Sequence, residues 1–252
     1  MRARVTFVQI DAGRDRSATG RLALISGLLT DALRSVTEPG RRAALLDCGG
    51  GSGTYAVPLA VAGADVTVVD ISADALATLS RRADEAAVGA LVHPIQGDVE
   101  ALGELVEPGR FDLVLAHGIL ESVDRVEATF AGVVAAVRPG GLLSVLVSNP
   151  AASVVARALA GEPALALQEL RDLDAANARV GPDAIEHLCL AAGLLIEDRH
   201  GIGVFSDLVP GSSLDAPGAR EALAQLDADA SSRSPFAEIA ARVHLLVRRP
   251  TG

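Results

Sequence analysis

The chain has 252 residues, of which 50% are hydrophobic and 21% charged, and its 32 acids against 22 bases give a net charge of −10. Every base is an arginine, which excludes lysine Schiff-base chemistry and any P-loop that depends on its lysine. The acidity, with five Phe, one Tyr and no Trp, argues against phosphate-driven nucleic-acid binding and against stacking platforms for single-stranded bases.

Along the chain, the opening Met1-Arg2-Ala3-Arg4 leads into a short apolar stretch that Asp11 interrupts, unlike a signal peptide. No later apolar run approaches the length of a bilayer span, so a soluble protein is expected. Residues 1–40 read as a helical N-terminal segment. Strands are predicted at Ala43–Asp47, Asp65–Asp70, Leu91–Gln96, Phe111–His117 and Gly141–Ser148. Helices are predicted at Tyr55–Ala62, Ala73–Ala87, Ala101–Val106 and Val126–Val137, with Arg138-Pro139-Gly140-Gly141 turning the chain into the fifth strand. Strands apolar on both faces and separated by helices imply a doubly wound, mostly parallel sheet. After residues 41–150 the pattern changes. Residues 151–193 read as a helical lid broken at Gly161-Glu162-Pro163 and Gly181-Pro182-Asp183. Residues 194–252 add two strands, near Leu194–Phe205 and Arg242–Arg249, with a helix between them. The whole is read as one domain, 1–252, with a seven-stranded α/β sheet.

The most informative stretch is Leu45-Leu46-Asp47-Cys48-Gly49-Gly50-Gly51-Ser52-Gly53-Thr54. An apolar strand runs into an acid, a glycine-rich bend and a helix start. Glycines allow a sharp turn and close approach of a ligand to the main chain, and the helix N-terminus offers free N–H groups. A nucleotide cofactor fits this. A dinucleotide fingerprint would need glycine at position 54, which is Thr54. Val68-Val69-Asp70 ends the second strand beside the loop, where Asp70 can accept both hydroxyls of a ribose. The alternative for Asp70 is a helix N-cap, a need that Ser72 can also meet.

Asp47-x-Gly49-x-Gly51-x-Gly53 resembles motif I of the class I S-adenosylmethionine (SAM) methyltransferases, whose core is Rossmann-like. That resemblance implies SAM as cofactor. It places Asp98 of Gln96-Gly97-Asp98-Val99 beside the adenine ring, and Ile71 and Val99 next to it. Phe111–His117 resembles motif IV, with His117 at the ligand-binding edge. Further, His117-Gly118-Ile119-Leu120-Glu121, Gly201–Leu208 and Ala241–Pro250 are similar to segments of the bacterial tRNA 5-carboxymethoxyuridine methyltransferases, which esterify a carboxylate on a wobble uridine. The resemblance spans most of the chain from about residue 15. The implied cofactor set is Asp47, Gly49, Gly50, Gly51, Gly53, Asp70, Ile71, Asp98, Val99 and His117.

Two departures from that family stand out. An Arg that follows Gly-x-Leu there is Ala23 here, in Gly20-Arg21-Leu22-Ala23, and Arg21 belongs to a different helix face. The family's lysine-rich lid is replaced by Gly161–Asp183, where Arg171 and Arg179 stand among Glu162, Glu169, Asp172, Asp174 and Asp183. An acidic lid repels a tRNA backbone, so a small-molecule or modified-nucleoside acceptor is expected ahead of tRNA.

A carboxylate acceptor needs no general base; for a hydroxyl, amine or carbon acceptor His117 or Glu121 are the candidates, with a solvated helix-start acid as the alternative for Glu121. Asn149-Pro150 reads as a lid hinge. Cys48 and Cys189 read as core residues of a protein kept in a reducing cytoplasm, and His93, His187, His200 and His244 are scattered without metal-ligand spacing, so no metal and no membrane partner are expected. Arg41-Arg42, Arg81-Arg82 and Arg248-Arg249 read as solvated element ends. The rival readings are a non-catalytic SAM-fold module and an NAD(P)-dependent oxidoreductase.

Overall fold

The structure is a computed structural model that describes residues 15–173 and 180–251, with side chains from residue 20 onward. The opening Met1–Arg4 and Asp11, and the lid residues Asp174 and Arg179, lie outside the described residues.

Helix α1 (Asp15–Val36) buries Ile25, Leu29, Ala32, Leu33 and Val36, a three-to-four-residue spacing that lays one stripe on the sheet. The sheet then grows by alternation: β1 (Ala44–Cys48), α2 (Ala56–Val61), β2 (Asp65–Asp70), α3 (Ala73–Glu85), β3 (Val92–Gln96), α4 (Leu102–Leu105), β4 (Phe111–His117), α5 (Val126–Ala136) and β5 (Val137–Ser148). Next come α6 (Pro150–Leu159), α7 (Pro163–Asp172), α8 (Pro182–Ala191), β6 (Leu195–Ile202), α9 (Ala219–Ala230) and β7 (Arg242–Arg248). The strand order is β3-β2-β1-β4-β5-β7-β6. The first five strands pair in parallel, and β7 runs antiparallel between β5 and β6. Strands β1 and β4 are buried apart from the half-buried Ala44 and His117 at their ends, and apolar apart from Asp47, Asp112 and His117, which is what coverage on both faces requires. The expected seven-stranded, doubly wound sheet is the observed one.

The chain leaves β1 toward β2 on one side, while β4 lies on the other. A crevice therefore opens at the carboxyl ends of β1, β2 and β4, where ligands bind in sheets of this kind.

Several element ends differ from the sequence reading by a residue or two, and three differences are larger. The Arg138–Gly141 stretch is the irregular opening of β5 rather than a turn before it. Val137 is in register with Phe111, and Gly140 N donates to Arg249 O at 2.8 Å. Strand β6 stops at Ile202, because Gly203, at φ +74°, turns the chain away. The helical stretch after β5 divides: α6 and α7 pack on each other beyond the sheet edge, whereas α8 sends Ile185 and Cys189 into the sheet core. Among the described residues, no helix is long and apolar enough to cross a membrane.

Candidate functional site

The loop after β1 is shaped by what lies behind it. At Gly50 a Cβ would fall 2.5 Å from the Asp47 carboxyl and 2.8 Å from Val68, so the main chain lies directly on the Asp47 side chain. Gly53, at φ +79°, leaves 2.3 Å between an added Cβ and Leu79 of α3. It is therefore a packing glycine that faces the helix layer, not the crevice. At Gly49 an added Cβ would meet Ile119 at 2.8 Å, which ties the loop to the segment after β4.

Asp70 holds the loop from the other side. Its Oδ2 accepts from Gly51 N and its Oδ1 from Ser72 N, both at 2.8 Å. Ser72 itself caps α3, accepting from Ala75 N at 3.2 Å. The cap role thus falls to Ser72, and each Asp70 oxygen keeps a lone pair for a ligand hydroxyl. Ile71, next in the chain, is 71% exposed, an aliphatic side chain at the crevice mouth. Asp98 caps the short 3₁₀ turn Val99–Ala101, accepting from Glu100 N at 2.9 Å, so the turn role that its sequence also allows is the one observed within the protein. The Val99 side chain is in the core at 5% exposure, which leaves only its backbone to reach a ligand.

Asp47 is 2% exposed and its Oδ2 has no partner among the described residues. Burial, reinforced by the charge of Asp70, pushes its carboxyl up to about 7. Burial drives the Cys48 thiol well above its ordinary range and pushes Cys189 up to about 11; both are free and buried, as core residues should be.

The edge of β4 holds more than the sequence suggested. His117 Nε2 lies 2.8 Å from Ser144 Oγ on β5, and the same Oγ lies 2.8 Å from His244 Nε2 on β7. The His200 ring on β6 lies 6.0 Å from that of His244. Histidines scattered in sequence are aligned by register: His117 is opposite Leu146, Leu146 opposite His244, and His244 opposite His200. Burial, then His244 and Arg242, hold His117 well below the ordinary imidazole value, and burial with His200 brings His244 down to about 3. Both rings are therefore neutral near pH 7. No group of three or more His, Cys, Asp or Glu among the described residues is arranged to hold a metal ion.

Tyr55 stands with its ring edge-on to His117, centroids 4.9 Å apart. Burial raises its phenol, Arg242 and Arg21 pull it down, and Asp47 adds to the rise. Two guanidinium groups thus act on this corner of the crevice. Arg21 is ion-paired with Asp207, and its stem abuts the backbone of Gly203. Ala23 is exposed, so the cation of α1 reaches the rim from position 21, braced by the C-terminal loop. The Arg242 side chain has no hydrogen bond or ion pair among the described residues, while its backbone pairs in the sheet with Ser148 and Ile202. Tyr55, Ser144, Arg242 and His244 were not singled out from the sequence. Their signal is cross-strand register, apart from Tyr55, the one tyrosine, two residues past the last loop glycine.

Glu121 is exposed in the turn after β4, not at a helix start, and its Oε1 accepts from Ser148 N at 2.6 Å, pinning the end of β5. Asn149 caps α6 and donates to Glu238 O and Ala240 O at 2.8 and 2.9 Å, which anchors the point where the α6–α7 pair leaves the sheet. The arginine pairs are less solvated than expected. Arg41 grips Asp112 with two bonds of 2.7 Å, Arg82 donates to Ser52 O at 2.9 Å, and Arg248 pairs with Glu197.

These residues fit SAM. The unpartnered Asp47 Oδ2 and the free lone pairs of Asp70 stand at a loop whose Gly49, Gly51 and Gly53 amides are already engaged within the protein, and a Cβ at Gly51 would stand 3.7 Å from the Asp70 carboxylate.

Comparison with known proteins agrees. Residues 46–145 match a family described as a methyltransferase domain. The tRNA 5-carboxymethoxyuridine methyltransferase of Escherichia coli (strain K12) is 26% identical over 232 residues, covering 88% of this chain and 87% of the relative. Ubiquinone biosynthesis O-methyltransferases of Methylobacterium sp. (strain 4-46) and Methylococcus capsulatus are each 30% identical, over 166 and 164 residues. Those matches cover 66% and 65% of this chain, and 65% and 67% of the relatives' own length. A geranyl diphosphate C-methyltransferase from Streptomyces coelicolor A3(2), solved with S-adenosyl-L-homocysteine, shares the fold with a TM-score of 0.60 at 15% identity, over 90% of this chain and 79% of that one. A sheet order that opens its crevice at the glycine loop and the sequence matches converge: this chain belongs to the class I SAM-dependent methyltransferases.

Proposed function

We propose that the enzyme transfers the methyl group of SAM to a carboxylate oxygen of an anionic acceptor held at the rim formed by Tyr55, Arg21 and Arg242. The observation that carries this reading is Arg242, a cation with no hydrogen bond or ion pair among the described residues, whose charge acts on both Tyr55 and His117. An arginine in that position is a natural partner for a carboxylate.

When bound, SAM supplies a methyl carbon activated by its sulfonium. The rest is alignment and exclusion of water. In this reading Asp70 takes the ribose hydroxyls, and the main chain of Gly49, Gly50 and Gly51, whose Gly49 and Gly51 amides are held by Val69 and Asp70, lines the amino-acid side of the crevice. The remaining lone pairs of Asp98, the Val99 amide and the Ile71 side chain frame the adenine, and Gly53 keeps the loop seated on α3. A carboxylate is ionised at neutral pH and needs no base. Glu121, occupied by Ser148, is then a brace rather than a base, and neutral His117 is a hydrogen-bonding partner. The free, buried cysteines are consistent with a reducing, cytoplasmic setting.

A carboxylate carried on a tRNA wobble nucleoside is the second reading, supported by the E. coli relative that spans 88% of the chain. The lid weighs against it: Arg157 is already paired with Glu162 and Glu169.

The test is S-adenosylhomocysteine release with a panel of small carboxylic acids and their amides. Turnover of acids but not amides is expected. Arg242→Ala should raise KM for the acids about tenfold, on the order of 1.4 kcal/mol, with the SAM affinity unchanged. Preferred turnover of neutral hydroxyl compounds, indifferent to Arg242→Ala, would overturn the carboxylate assignment.

A further inference from the structure

One hydroxyl, that of Ser144, stands between two imidazole nitrogens at 2.8 Å each. A serine hydroxyl has one proton and two lone pairs. Ser144 is 0% exposed and has no third partner among the described residues, so accepting from both rings would strand its proton; it donates to one ring and accepts from the other. With both rings neutral, two arrangements exist. In the first, His244 donates Nε2–H to Ser144, Ser144 donates to His117 Nε2, and His117 carries its proton on Nδ1. In the second, every donor is reversed, and His244 carries a proton on Nδ1.

Nδ1 of His117 and of His244 both lack a protein partner. The second arrangement therefore leaves an N–H without an acceptor on His244, a residue 1% exposed within the sheet. The first leaves only a lone pair there and puts the unsatisfied N–H on His117, whose Nδ1 is also buried but whose side chain is half-buried at the crevice edge beside Tyr55. A buried donor without an acceptor is costly wherever it falls. Of the two, only the one on His117, at the crevice edge, can gain an acceptor from a ligand, whereas the one on His244, 1% exposed, cannot. The Arg242 charge favours a bare His117 Nδ1 in the ligand-free protein, but it is a charge–dipole effect from an exposed side chain, screened by water, and is the smaller of the two. Of the other neighbours, His200 is held neutral by burial, and Asp198 faces His200 rather than His117.

We infer that Ser144 and His244 are positioning residues that fix His117 as its Nδ1–H tautomer, so that it faces the crevice as a hydrogen-bond donor to a carboxylate of the bound ligand. The donor and the Arg242 cation then converge on one anionic group. The tautomer stands on the Ser144 bridge and the unequal exposure of the two rings; the carboxylate rests on the function proposed above. Two sources of that carboxylate exist, the amino-acid end of the cofactor and the acceptor.

The experiment is ¹⁵N NMR of histidine-labelled full-length protein near pH 7.5, which tells a protonated ring nitrogen from a bare one. Ligand-free wild type is expected to show His117 protonated at Nδ1 and bare at Nε2, with His244 the reverse. His117 protonated at Nε2, or an even mixture, overturns the inference without bearing on methyl transfer. In Ser144→Ala the Nδ1–H signature of His117 should be lost; its persistence would remove Ser144 from the positioning role, and the wild-type spectrum decides the tautomer even if this variant fails to fold. A downfield shift of the Nδ1 proton on adding S-adenosylhomocysteine, absent with methylthioadenosine, assigns the partner to the cofactor. A shift appearing only when benzoate is added to the S-adenosylhomocysteine complex assigns it to the acceptor. No shift in either case overturns the carboxylate partner while leaving the tautomer and the methyltransferase assignment intact.

Discussion

Asp70 and Asp47 lie side by side in the crevice and do opposite things. Asp70 is partly exposed and already accepts two backbone amides, so its carboxylate is ordered before any ligand arrives. In the proposed reading, removing it loses two charge-assisted hydrogen bonds to the ribose, each worth roughly 1.5–3 kcal/mol. Asp70→Ala should therefore weaken SAM binding at least about a hundredfold by calorimetry; unchanged affinity would mean that the sugar is held elsewhere. Asp47 has no such partners. With its folded value at about 7 and an unfolded value near 3.8, the folded chain keeps a proton that the unfolded chain has released between those limits. Stability from this group is full below the unfolded value and falls as pH rises toward 7, by a total on the order of 4 kcal/mol. Urea midpoints measured from pH 4 to 8 should fall along this window in the wild type and flatten in Asp47→Asn. An Asn variant with the wild-type slope would show that another group titrates there. The motif made both acids visible in the sequence. Their contrast was not, since it depends on Gly50 lying on one carboxyl and leaving the other open.

At the scale of elements, the loop and α3 are one packing unit. Gly53→Ala adds a Cβ into Leu79 and Val57 at 2.3 and 3.1 Å, at a backbone angle that L side chains avoid. Overpacking and strain together should destabilise the fold by roughly 2–4 kcal/mol. Combining it with Leu79→Ala should restore part of that loss in thermal unfolding, because the clash is removed and the φ strain is not; strict additivity would show that Leu79 does not carry the clash. Gly51→Ala has open space apart from Asp70 at 3.7 Å, so its effect should fall more on cofactor affinity than on packing. The strands β2 and β4 were legible to the residue, as runs of apolar side chains closed by Asp70 and His117. The parts that were not legible share one cause. The placing of α8 on the sheet, the Ser144 bridge and the row from His117 to His200 all depend on β7 inserting antiparallel between β5 and β6, and apolar periodicity carries no record of which strands become neighbours.

Across the whole molecule, most arginines among the described residues are paired with acids, and the most buried of these acids is Asp112. Asp112, with no exposed side-chain surface, would be raised by burial, yet Arg41, the Ala44 amide and Arg138 outweigh this and hold it below the ordinary carboxylate range. That ties the segment before β1 to β4 and β5 at the end of the sheet opposite the crevice. In the lid, Arg157 is consumed by Glu162 and Glu169, and Arg171 is exposed next to Asp172. A net charge of −10, with most of the arginines paired to acids among the described residues, gives polyphosphate little counterion-releasing surface there. Mixed tRNA should accordingly bind no more tightly than about 10⁻⁴ M at physiological salt, the weak end of non-specific affinity. SAM affinity, which depends on contacts shielded within the crevice, should change little between 50 and 300 mM salt, on the order of twofold or less. Filter binding and calorimetry across that range give both numbers. A micromolar tRNA complex whose affinity drops steeply with salt would show that the arginines outside these ion pairs form a phosphate track, and the acceptor would then be a nucleotide within RNA rather than a free carboxylic acid.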